Sequence, residues 1–292
     1  MEIRQFGLTG LGVSVIGFGA GHIGGNESDE KSVENLLNTA VDLGVTLFDT
    51  ARGYGASEER IGKYLSKRRS EIVLSTKVGY SIPGFKDWTY ECIIAGVDEA
   101  LKLLRTDYID IVHLHTCPIS VLKDPGVIDA LEKTRESGKI KVSAYSGDNE
   151  NLAYAIETGT FGSIQTSINI ADQRNLNHQL PRAKEKGLGV IAKRPAANSP
   201  WRYSQQPEGK YAEEYWLRLK KMNILHEANL QEKALRFAAY TWGVDSIIVG
   251  TSNITHLEEN IKMIEKGPLS HDDYYGLRDL FMANNKNWVG QV

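Results

Sequence analysis

Short apolar runs alternate with longer amphipathic segments along this chain, and the alternation repeats eight times. The runs are rich in β-branched residues, and the segments between them repeat apolar residues at the spacing of one helix face. Strands that alternate with helices predict a parallel sheet, because a crossover helix returns the chain to begin the next parallel strand. The predicted strands occupy residues 13–18, 45–48, 72–76, 109–114, 140–144, 163–167, 189–192 and 246–249.

Eight such units within about 250 residues predict an α/β fold in which the sheet closes into a (β/α)8 TIM barrel. A doubly wound sheet would need fewer repeats and usually a second domain. No linker or low-complexity tract interrupts the pattern, so we expect a single domain over residues 1–292. Gly44, Gly138 and Gly187 stand where helices are expected to end, and Ser57 is the expected N-cap of another helix.

Two pieces of the chain exceed the eight units. The segment MEIRQFGLTGLG has the character of a β-hairpin, and we expect it to plug the bottom of the barrel. A long loop after the seventh strand contains a short predicted helix at Lys210–Lys221, and loops of this length are usually functional or mobile. Its aromatic side chains pack on the barrel, cover a ligand as a lid, or do both. These aromatic residues are Trp201, Tyr203, Tyr211, Tyr215 and Trp216.

The composition excludes several classes of partner. Hydrophobic residues make up 41% of the 292 residues and charged residues 24%, which is ordinary for a soluble globular protein. The formal net charge of −3 gives no support to nucleic-acid binding. No apolar run approaches the roughly 18 residues of a membrane span, and we see no secretion signal. Only Cys92 and Cys117 are present, so we expect reduced thiols and a cytoplasmic protein.

The stretch IGFGAGHIGG contains Gly19, Gly21 and Gly24 in the G-x-G-x-x-G spacing of a Rossmann dinucleotide site. In that motif a helix begins within the glycines and directs its N-terminus at the pyrophosphate. Here the helical pattern begins no earlier than Ser28, and nearby acidic residues would repel a diphosphate. We therefore favour a glycine loop at a strand end. The Rossmann alternative predicts a helix that begins at Gly21.

Chemistry in a barrel of this kind lies at the C-terminal ends of the strands. The second strand is followed by Asp49 and Tyr54, the third by Lys77, and the fourth ends near His113 and His115. A nearby ammonium stabilises a phenolate, and a carboxylate holds a buried lysine in its charged form. Such a tyrosine can give or take a proton at a carbonyl or alcohol. Hydride transfer from a cofactor is the natural partner reaction, because no nucleophile is needed.

Several motifs in the expected order resemble the aldo-keto reductase superfamily over nearly the whole chain. The strand-two signature is similar to GVTLFDTARGYG, the lysine strand to STK, and the strand-four signature to YIDIVHLHTCP. Later segments, GKIKVSAYSG, SIQTSINI and IIVGTSNITHLEENI, resemble the motifs of strands five, six and eight.

The resemblance implies catalytic roles for four residues. Tyr54 would be the general acid/base, with Lys77 and Asp49 tuning its acidity, and His115 would orient the carbonyl. The implied cofactor is NADP, with NAD as the alternative, and the implied substrate is a small carbonyl, alcohol or sugar. The implied cofactor-binding residues are Gly19, Ala20, Asp49, Ser146, Gln165, Lys193, Arg194, Gly250, Thr251, Asn253, His256, Glu259 and Asn260.

Three positions depart from the common family pattern. Gly147 stands where many members have asparagine, so one contact to the nicotinamide carboxamide is missing. Lys193 occupies the position of an aromatic residue that stacks on the nicotinamide, where an alkyl stem or a guanidinium would substitute. Gly250 and His256 occupy positions where a lysine and an arginine commonly hold the 2′-phosphate. The last departure keeps NAD(H), or use of both cofactors, open.

Other interpretations of these residues, structural or functional, remain open. Asp49 and Lys77 would also make a structural ion pair, and Tyr54 would also suit an ordinary loop. His113, His115 and Cys117 are close in sequence, but no fourth ligand completes a zinc site, so we expect no metal and an interior role for His113. A cofactor-binding barrel that acts as a sensor or regulatory subunit shares every motif. The oligomeric state is expected to be a monomer or a small homo-oligomer.

Overall fold

A computed structural model describes residues 1–291 of the chain, so Val292, the last residue of the predicted single domain, lies outside the described residues. The segment before the barrel is an antiparallel hairpin of β1 (Ile3–Gln5) and β2 (Gly12–Ser14). Phe6 lies at the hairpin turn and is fully buried inside the barrel with buried apolar side chains of five barrel strands. The predicted plug is thus present.

Eight parallel strands close into a barrel, which confirms the predicted (β/α)8 fold. Each strand pairs with its neighbours in chain order, and the last pairs with the first. The barrel strands are β3 (Ile16–Gly19), β4 (Leu47–Asp49), β5 (Val73–Val78), β6 (Ile109–His115), β7 (Ile140–Ser146), β8 (Ser163–Ser167), β9 (Gly189–Lys193) and β10 (Ser246–Val249).

The first predicted strand, residues 13–18, was wrong in its bounds. The chain bends at Val15, directly after Ser14, whose hydroxyl donates to the Ile16 carbonyl and accepts from the Thr46 amide. Val13 therefore belongs to the hairpin, and the barrel strand begins only at Ile16. One continuous apolar run thus serves two sheets, because local hydrogen bonds at Ser14 interrupt it.

Helices cover the outside of the barrel and fill the connections between strands. The α-helices are α1 (Glu30–Asp42), α2 (Ser57–Leu65), α3 (Tyr90–Leu104), α4 (Ile119–Leu122), α5 (Pro125–Glu136), α6 (Asn149–Thr158), α7 (Gln179–Glu185), α8 (Glu213–Lys221), α9 (Leu230–Tyr240), α10 (Ile254–Glu265) and α11 (His271–Asn284). Short 3₁₀ turns lie at Ala20–Ile23, Ser66–Glu71, Arg174–Leu176 and Pro200–Arg202.

The predicted helix ends are mostly confirmed. Gly44, Gly138 and Gly187 follow α1, α5 and α7 with positive φ, the left-handed conformation that suits glycine. The predicted cap at Ser57 is wrong, because Ala56 is the N-cap of α2. Ser57 instead lies in the first turn, where its buried hydroxyl donates to the Ala20 carbonyl at 2.9 Å. This hydrogen bond joins the first turn of α2 to the 3₁₀ turn that follows β3.

The structure contradicts the Rossmann alternative. A single 3₁₀ turn, Ala20–Ile23, follows β3, and a loop then leads to α1, which begins at Glu30. The side chain of Asp29 caps that helix by accepting from the Ser32 amide at 2.8 Å. No α-helix therefore begins within the glycines, as pyrophosphate binding of the Rossmann type requires.

The long connection between β9 and β10 packs two of its aromatic residues on the barrel as expected, while the lid role stays a prediction. Tyr215 and Trp216 of α8 are buried in the core, whereas Tyr211 is 66% exposed. The predicted helix begins at Glu213, three residues later than expected. In residues 1–291 no helix has the length and apolar character that crossing a membrane requires.

Candidate active site

A cavity of about 1260 Å³ opens at the C-terminal ends of the barrel strands. It brings together nearly all residues that the sequence singled out, although they are spread over more than 200 positions. Those that line it are Gly19, Asp49, Tyr54, Lys77, His115, Ser146, Gln165, Lys193, Arg194, Gly250, Thr251, Asn253, His256, Glu259 and Asn260.

Ala20 is the exception among the predicted cavity residues. It is fully buried and does not line the cavity, because the chain turns into the 3₁₀ helix directly after Gly19. Gly21 and His22 line the wall in its place. Ala20 therefore does not line the cavity, its role in cofactor binding stays a prediction, and His22 is a wall residue that the sequence analysis missed.

An ion pair at the floor of the cavity joins Lys77 to Asp49. The Lys77 Nζ donates to Asp49 Oδ2 at 2.6 Å and to the Thr50 carbonyl at 2.7 Å. Burial favours the neutral lysine, but the Asp49 charge and the Tyr54 hydroxyl outweigh it and raise the pKa of Lys77. Burial also works against the Asp49 charge, yet Lys77 brings the pKa of Asp49 below its usual value. Both groups are therefore held in their charged forms.

Tyr54 lies above this ion pair. The Lys77 Nζ is 5.1 Å from the centre of the Tyr54 ring, and two of the three ammonium protons are already committed to Asp49 and Thr50. The remaining ammonium proton is free to interact with the phenol. This is the arrangement that stabilises a phenolate.

Gly24 explains how Tyr54 is held in place. A Cβ atom at Gly24 would lie 1.7 Å from the Tyr54 carbonyl oxygen, and one at Gly55 would lie 2.3 Å from the Gly24 carbonyl oxygen. The two backbones are thus in direct contact, and the Ala56 amide donates to the Gly24 carbonyl at 3.0 Å. The third glycine of the fingerprint makes room for the tyrosine loop, and no side chain fits there.

The other carboxylate oxygen of Asp49 connects the ion pair to Gln165 and Ser146. Asp49 Oδ1 accepts from Gln165 Nε2 at 2.9 Å, and Ser146 Oγ donates to Gln165 Oε1 at 2.9 Å. One N–H of the Gln165 amide and the lone pairs of the Ser146 hydroxyl remain uncommitted at the cavity wall. A donor and an acceptor side by side fit the carboxamide of a nicotinamide ring.

Gly147 follows Ser146 for a steric reason. A Cβ atom at this position would lie 2.5 Å from the Tyr145 hydroxyl oxygen, which is fixed by donating to the Cys117 carbonyl at 3.0 Å. Tyr145 therefore occupies the space that an asparagine side chain would need. The departure from the family pattern is imposed by a neighbouring buried side chain.

His113 lies behind the ion pair and is fully buried. Ser75 Oγ donates to Asp49 Oδ1 at 2.7 Å, and because a hydroxyl has one proton, Ser75 must accept from His113 Nε2 at 3.1 Å. Burial lowers the pKa of His113 to about 3, so the ring is neutral. No group of three or more His, Cys, Asp or Glu within residues 1–291 could hold a metal ion.

His115 lies beside Tyr54 at the cavity, with the two rings edge to face at 6.3 Å. Its Nδ1 is 2.6 Å from the hydroxyl of Tyr80, a residue that the sequence analysis missed. Tyr80 lies two residues beyond the end of β5, outside the strand motifs that drew attention to Lys77. The distance to His115 arises only when β5 and β6 pair in the barrel.

Lys193 and Arg194 are held away from free solvent by partners on the barrel rim. Lys193 Nζ is 3.0 Å from Asp148 Oδ2, and burial nevertheless lowers the pKa of Lys193. Arg194 Nη1 donates to Ser167 Oγ at 2.8 Å and also to the Gln291 carbonyl, while its Nε donates to Tyr211. The tail of the described chain and the exposed tyrosine thus fix the position of this guanidinium.

The wall from 250 to 260 has a different character, because it carries no lysine or arginine. Thr251 Oγ1 accepts from the Asn253 amide at 3.0 Å, and the Asn253 side chain caps α10. Asn260 accepts from Gln231 at 2.8 Å. A Cβ atom at Gly250 would lie 2.6 Å from the His22 ring, so this position also excludes a side chain.

A parallel barrel with a tyrosine, a lysine, an aspartate and a histidine around one cavity defines the class of the protein, an oxidoreductase barrel. Sequence comparison identifies the family within this class. The sequence model of the Aldo/keto reductase family matches residues 15–280, and the chain belongs to that family. Members of this family are oxidoreductases that use nicotinamide cofactors and act on small carbonyl substrates.

Individual relatives are moderately similar. An L-galactose dehydrogenase from Arabidopsis thaliana is 29% identical over 283 residues, which cover 90% of this chain and 88% of the relative. A protein from the same plant, named a probable voltage-gated potassium channel subunit beta, is 25% identical and covers 92% of this chain and 93% of its own. A solved aldo-keto reductase from Bacillus halodurans, in its holo form, matches with a TM-score of 0.81 at 28% identity over 96% of each chain.

Proposed function

We propose that this chain interconverts a small carbonyl compound and the corresponding alcohol, with Tyr54 as the general acid/base. The contact set of Lys77 carries the proposal. Two ammonium protons are bound by Asp49 and Thr50, and the Nζ atom that carries the third lies 5.1 Å from the centre of the Tyr54 ring. A purely structural ion pair would not need to place its ammonium beneath a tyrosine at a cavity wall.

Each side chain then has a defined task. In reduction, the Tyr54 hydroxyl gives its proton to the oxygen of the developing alkoxide, and Lys77 stabilises the phenolate that remains. In oxidation, the same phenolate takes the proton of the alcohol. Asp49 keeps Lys77 charged throughout, and His115 orients the substrate oxygen beside Tyr54.

The nicotinamide cofactor, when bound, supplies or takes up the hydride. Gln165 and Ser146 would hold the carboxamide, with Gly19 and Lys193 beside the nicotinamide end. The residues at the adenosine-phosphate end would be Gly250, Thr251, Asn253, His256, Glu259 and Asn260, and Arg194 would border the site. NADP is the cofactor that we expect from the family resemblance. NAD is the alternative, which the absence of lysine and arginine from 250–260 supports.

The polar cavity wall also suits a sugar substrate. Asn198, Ser199 and Thr116 line it together with the charged residues, and hydroxyl-rich ligands need many such partners. One relative is an L-galactose dehydrogenase, so oxidation of a sugar at its anomeric carbon belongs to the proposal. We further propose a single cytoplasmic domain over residues 1–292 that acts as a monomer or small homo-oligomer.

A second candidate function is cofactor sensing by a regulatory subunit. The similarity to a potassium channel subunit beta is the observation that favours it. The complete set of Asp49, Tyr54, Lys77 and His115 argues for turnover, because a binding module does not need an acid/base tyrosine. Cofactor binding without turnover, together with a stable protein partner, would support the regulatory role.

Tyr54→Phe tests the proposed chemistry. We expect kcat for aldehyde or aldose turnover to fall by about 10² to 10⁴-fold, the usual contribution of a general acid/base, while the dissociation constant of the cofactor changes little. The assay follows nicotinamide absorbance with a panel of aldehydes and aldoses. Tyr108→Phe is the matched control, because Tyr108 lies at the opposite end of the barrel, just before β6. Equal turnover by Tyr54→Phe and the parent protein would refute the proposal.

A binding titration of NADPH against NADH tests the cofactor assignment independently of turnover. Tighter binding of NADPH would support NADP as the cofactor. Equal or weaker binding of NADPH would favour NAD and would show that the wall from 250 to 260, which carries no lysine or arginine, does not retain a 2′-phosphate.

A further inference from the structure

Tyr80 packs against both Trp88 and His115. The Tyr80 and His115 rings stack with centroids 5.5 Å apart and an angle of 25°, and Trp88 packs edge to face on Tyr80 at 5.9 Å. Gly79 makes this packing feasible, since its Cβ atom would lie 2.2 Å from the Trp88 ring. The Tyr80 ring is thus held by two aromatic neighbours, and its hydroxyl oxygen lies 2.6 Å from His115 Nδ1.

The ring of His115 has one proton to place on two nitrogens. Burial lowers the pKa of His115 to about 3, and the charges of Lys77 and Lys193 act in the same direction against the raising effect of Asp49. The ring is therefore neutral at neutral pH, and either Nδ1 or Nε2 carries the proton. Nδ1 is the nitrogen paired with Tyr80, so Nε2 is the one left for a ligand in the cavity.

The hydrogen-bond inventory of Tyr80 favours one of the two tautomers. If His115 Nδ1 carried the proton, the Tyr80 oxygen would accept it and the Tyr80 proton would need another acceptor. Residues 1–291 offer no second partner to the Tyr80 hydroxyl. If Tyr80 donates to Nδ1 instead, one short hydrogen bond satisfies both groups.

We propose that Tyr80 is a positioning residue that keeps the His115 proton on Nε2, where it donates a hydrogen bond to the substrate carbonyl oxygen. The proposal rests on the proposed function, because it assigns a task to Tyr80 within the same site. The opposite tautomer would present a lone pair to the carbonyl oxygen, and two lone pairs repel. The tautomer thereby favours recognition of the carbonyl form of the substrate.

Nitrogen-15 NMR of the labelled protein reads the tautomer without any need for turnover. The chain contains seven histidines, and the His115 signals are assigned by their disappearance in His115→Asn. We expect an unprotonated, hydrogen-bond-accepting Nδ1 and a protonated Nε2 in the parent protein, with and without bound cofactor. In Tyr80→Phe, which keeps the ring, we expect the two nitrogens to move toward averaged shifts as the tautomers mix.

Kinetics provide the second measurement. Tyr80→Phe should lower kcat/KM for carbonyl reduction by about tenfold, the scale of one hydrogen bond, and should lower kcat/KM for alcohol oxidation by the same factor, because both directions share one transition state. Tyr108→Phe should change neither the tautomer nor the rates. A protonated Nδ1 in the parent protein, or unchanged His115 shifts in Tyr80→Phe, would overturn the proposal. Loss of activity in Tyr54→Phe tests only the proposed function, so the two failures are distinguishable.

Discussion

The two ends of the cavity hold their polar groups in different ways. At the catalytic end, Asp49 accepts hydrogen bonds from three side chains, and the buried charges of Asp49 and Lys77 pair with each other. At the other end, residues 250 to 260 carry no lysine or arginine but include Glu258 and Glu259, and several of the polar side chains cap α10 or bond to neighbouring groups. The catalytic end thus holds fixed charges, whereas the end from 250 to 260 offers a ligand mainly space and backbone groups.

This difference separates two kinds of requirement. Proton transfer needs groups whose charge and orientation are settled before the substrate arrives, and a buried network provides that. An extended ligand with its own charges needs space and a few donors. We therefore expect substitutions at the catalytic end to alter stability and rate together, and those at the far end to alter mainly the affinity for the cofactor.

Lys77→Met breaks the catalytic end and should have the largest effect. It leaves the Asp49 carboxylate buried without its partner, which typically costs about 3–5 kcal/mol in the free energy of unfolding. Turnover should be lost as well, since the phenolate of Tyr54 loses its cation. Urea denaturation measures the stability. Lys63→Met is the control, because Lys63 pairs with Glu30 at the exposed surface and should change stability little. Equal stability loss in both variants would contradict the comparison.

His113→Gln sharpens the description of the same network through pH. The pKa of His113 is lowered from 6.5 to about 3 in the folded protein, so only the unfolded chain takes up its proton between these values. His113 therefore costs stability progressively as pH falls from 6.5 toward 3, by about 1.4 kcal/mol per pH unit. Glutamine removes the titration and keeps a donor for Ser75.

Unfolding by urea at pH 6.5, 5.5 and 4.5 measures this slope. The His113→Gln variant should lose stability less steeply than the parent protein. His271→Gln removes a histidine that is 80% exposed and should leave the slope unchanged. An identical slope in His113→Gln and the parent protein would show that His113 is not held neutral.

His256→Arg probes the far end and should have the smallest effect. Adding a guanidinium to the wall from 250 to 260, which carries no lysine or arginine, should strengthen NADPH binding about tenfold relative to NADH, because arginine pairs well with a phosphate. The value of kcat should change little. Fluorescence titration of both cofactors measures it. Thr255→Arg is the control, since Thr255 is exposed on the same helix and does not line the cavity. An equal gain in both variants would mean that the added charge acts through long-range attraction alone.

Much of the fold was predictable because the barrel repeats one local pattern eight times. Each strand–helix unit has its own apolar period, and errors in one unit do not spread to the others. The predicted strand bounds were wrong where tertiary contacts override that pattern. After Ser14, for example, the apolar run divides between the hairpin and the barrel. The predicted N-cap at Ser57 was wrong for the same reason, because the Ser57 hydroxyl donates to the distant Ala20 carbonyl and does not cap its own helix.

The candidate site was predictable where residues stand directly at strand ends. Asp49, Lys77 and His115 end or nearly end their strands, so the closure of the sheet alone brings them to one cavity. Tyr80 and Ala20 lie in the turns that follow, where the direction of each side chain depends on local backbone geometry. For that reason Tyr80 was missed, and Ala20 was expected at the cavity although it does not line it.

The sequence by itself determined the parallel barrel, the rim on which the polar residues gather, and the resemblance to a family, because period, order and spacing are local properties. Only the tertiary structure decided how those residues bond. It showed that Gly24 admits the Tyr54 loop, that Tyr145 excludes a side chain at Gly147, and that Tyr80 pairs with His115. These facts depend on distances between segments far apart in the chain, and such distances exist only after the barrel has closed.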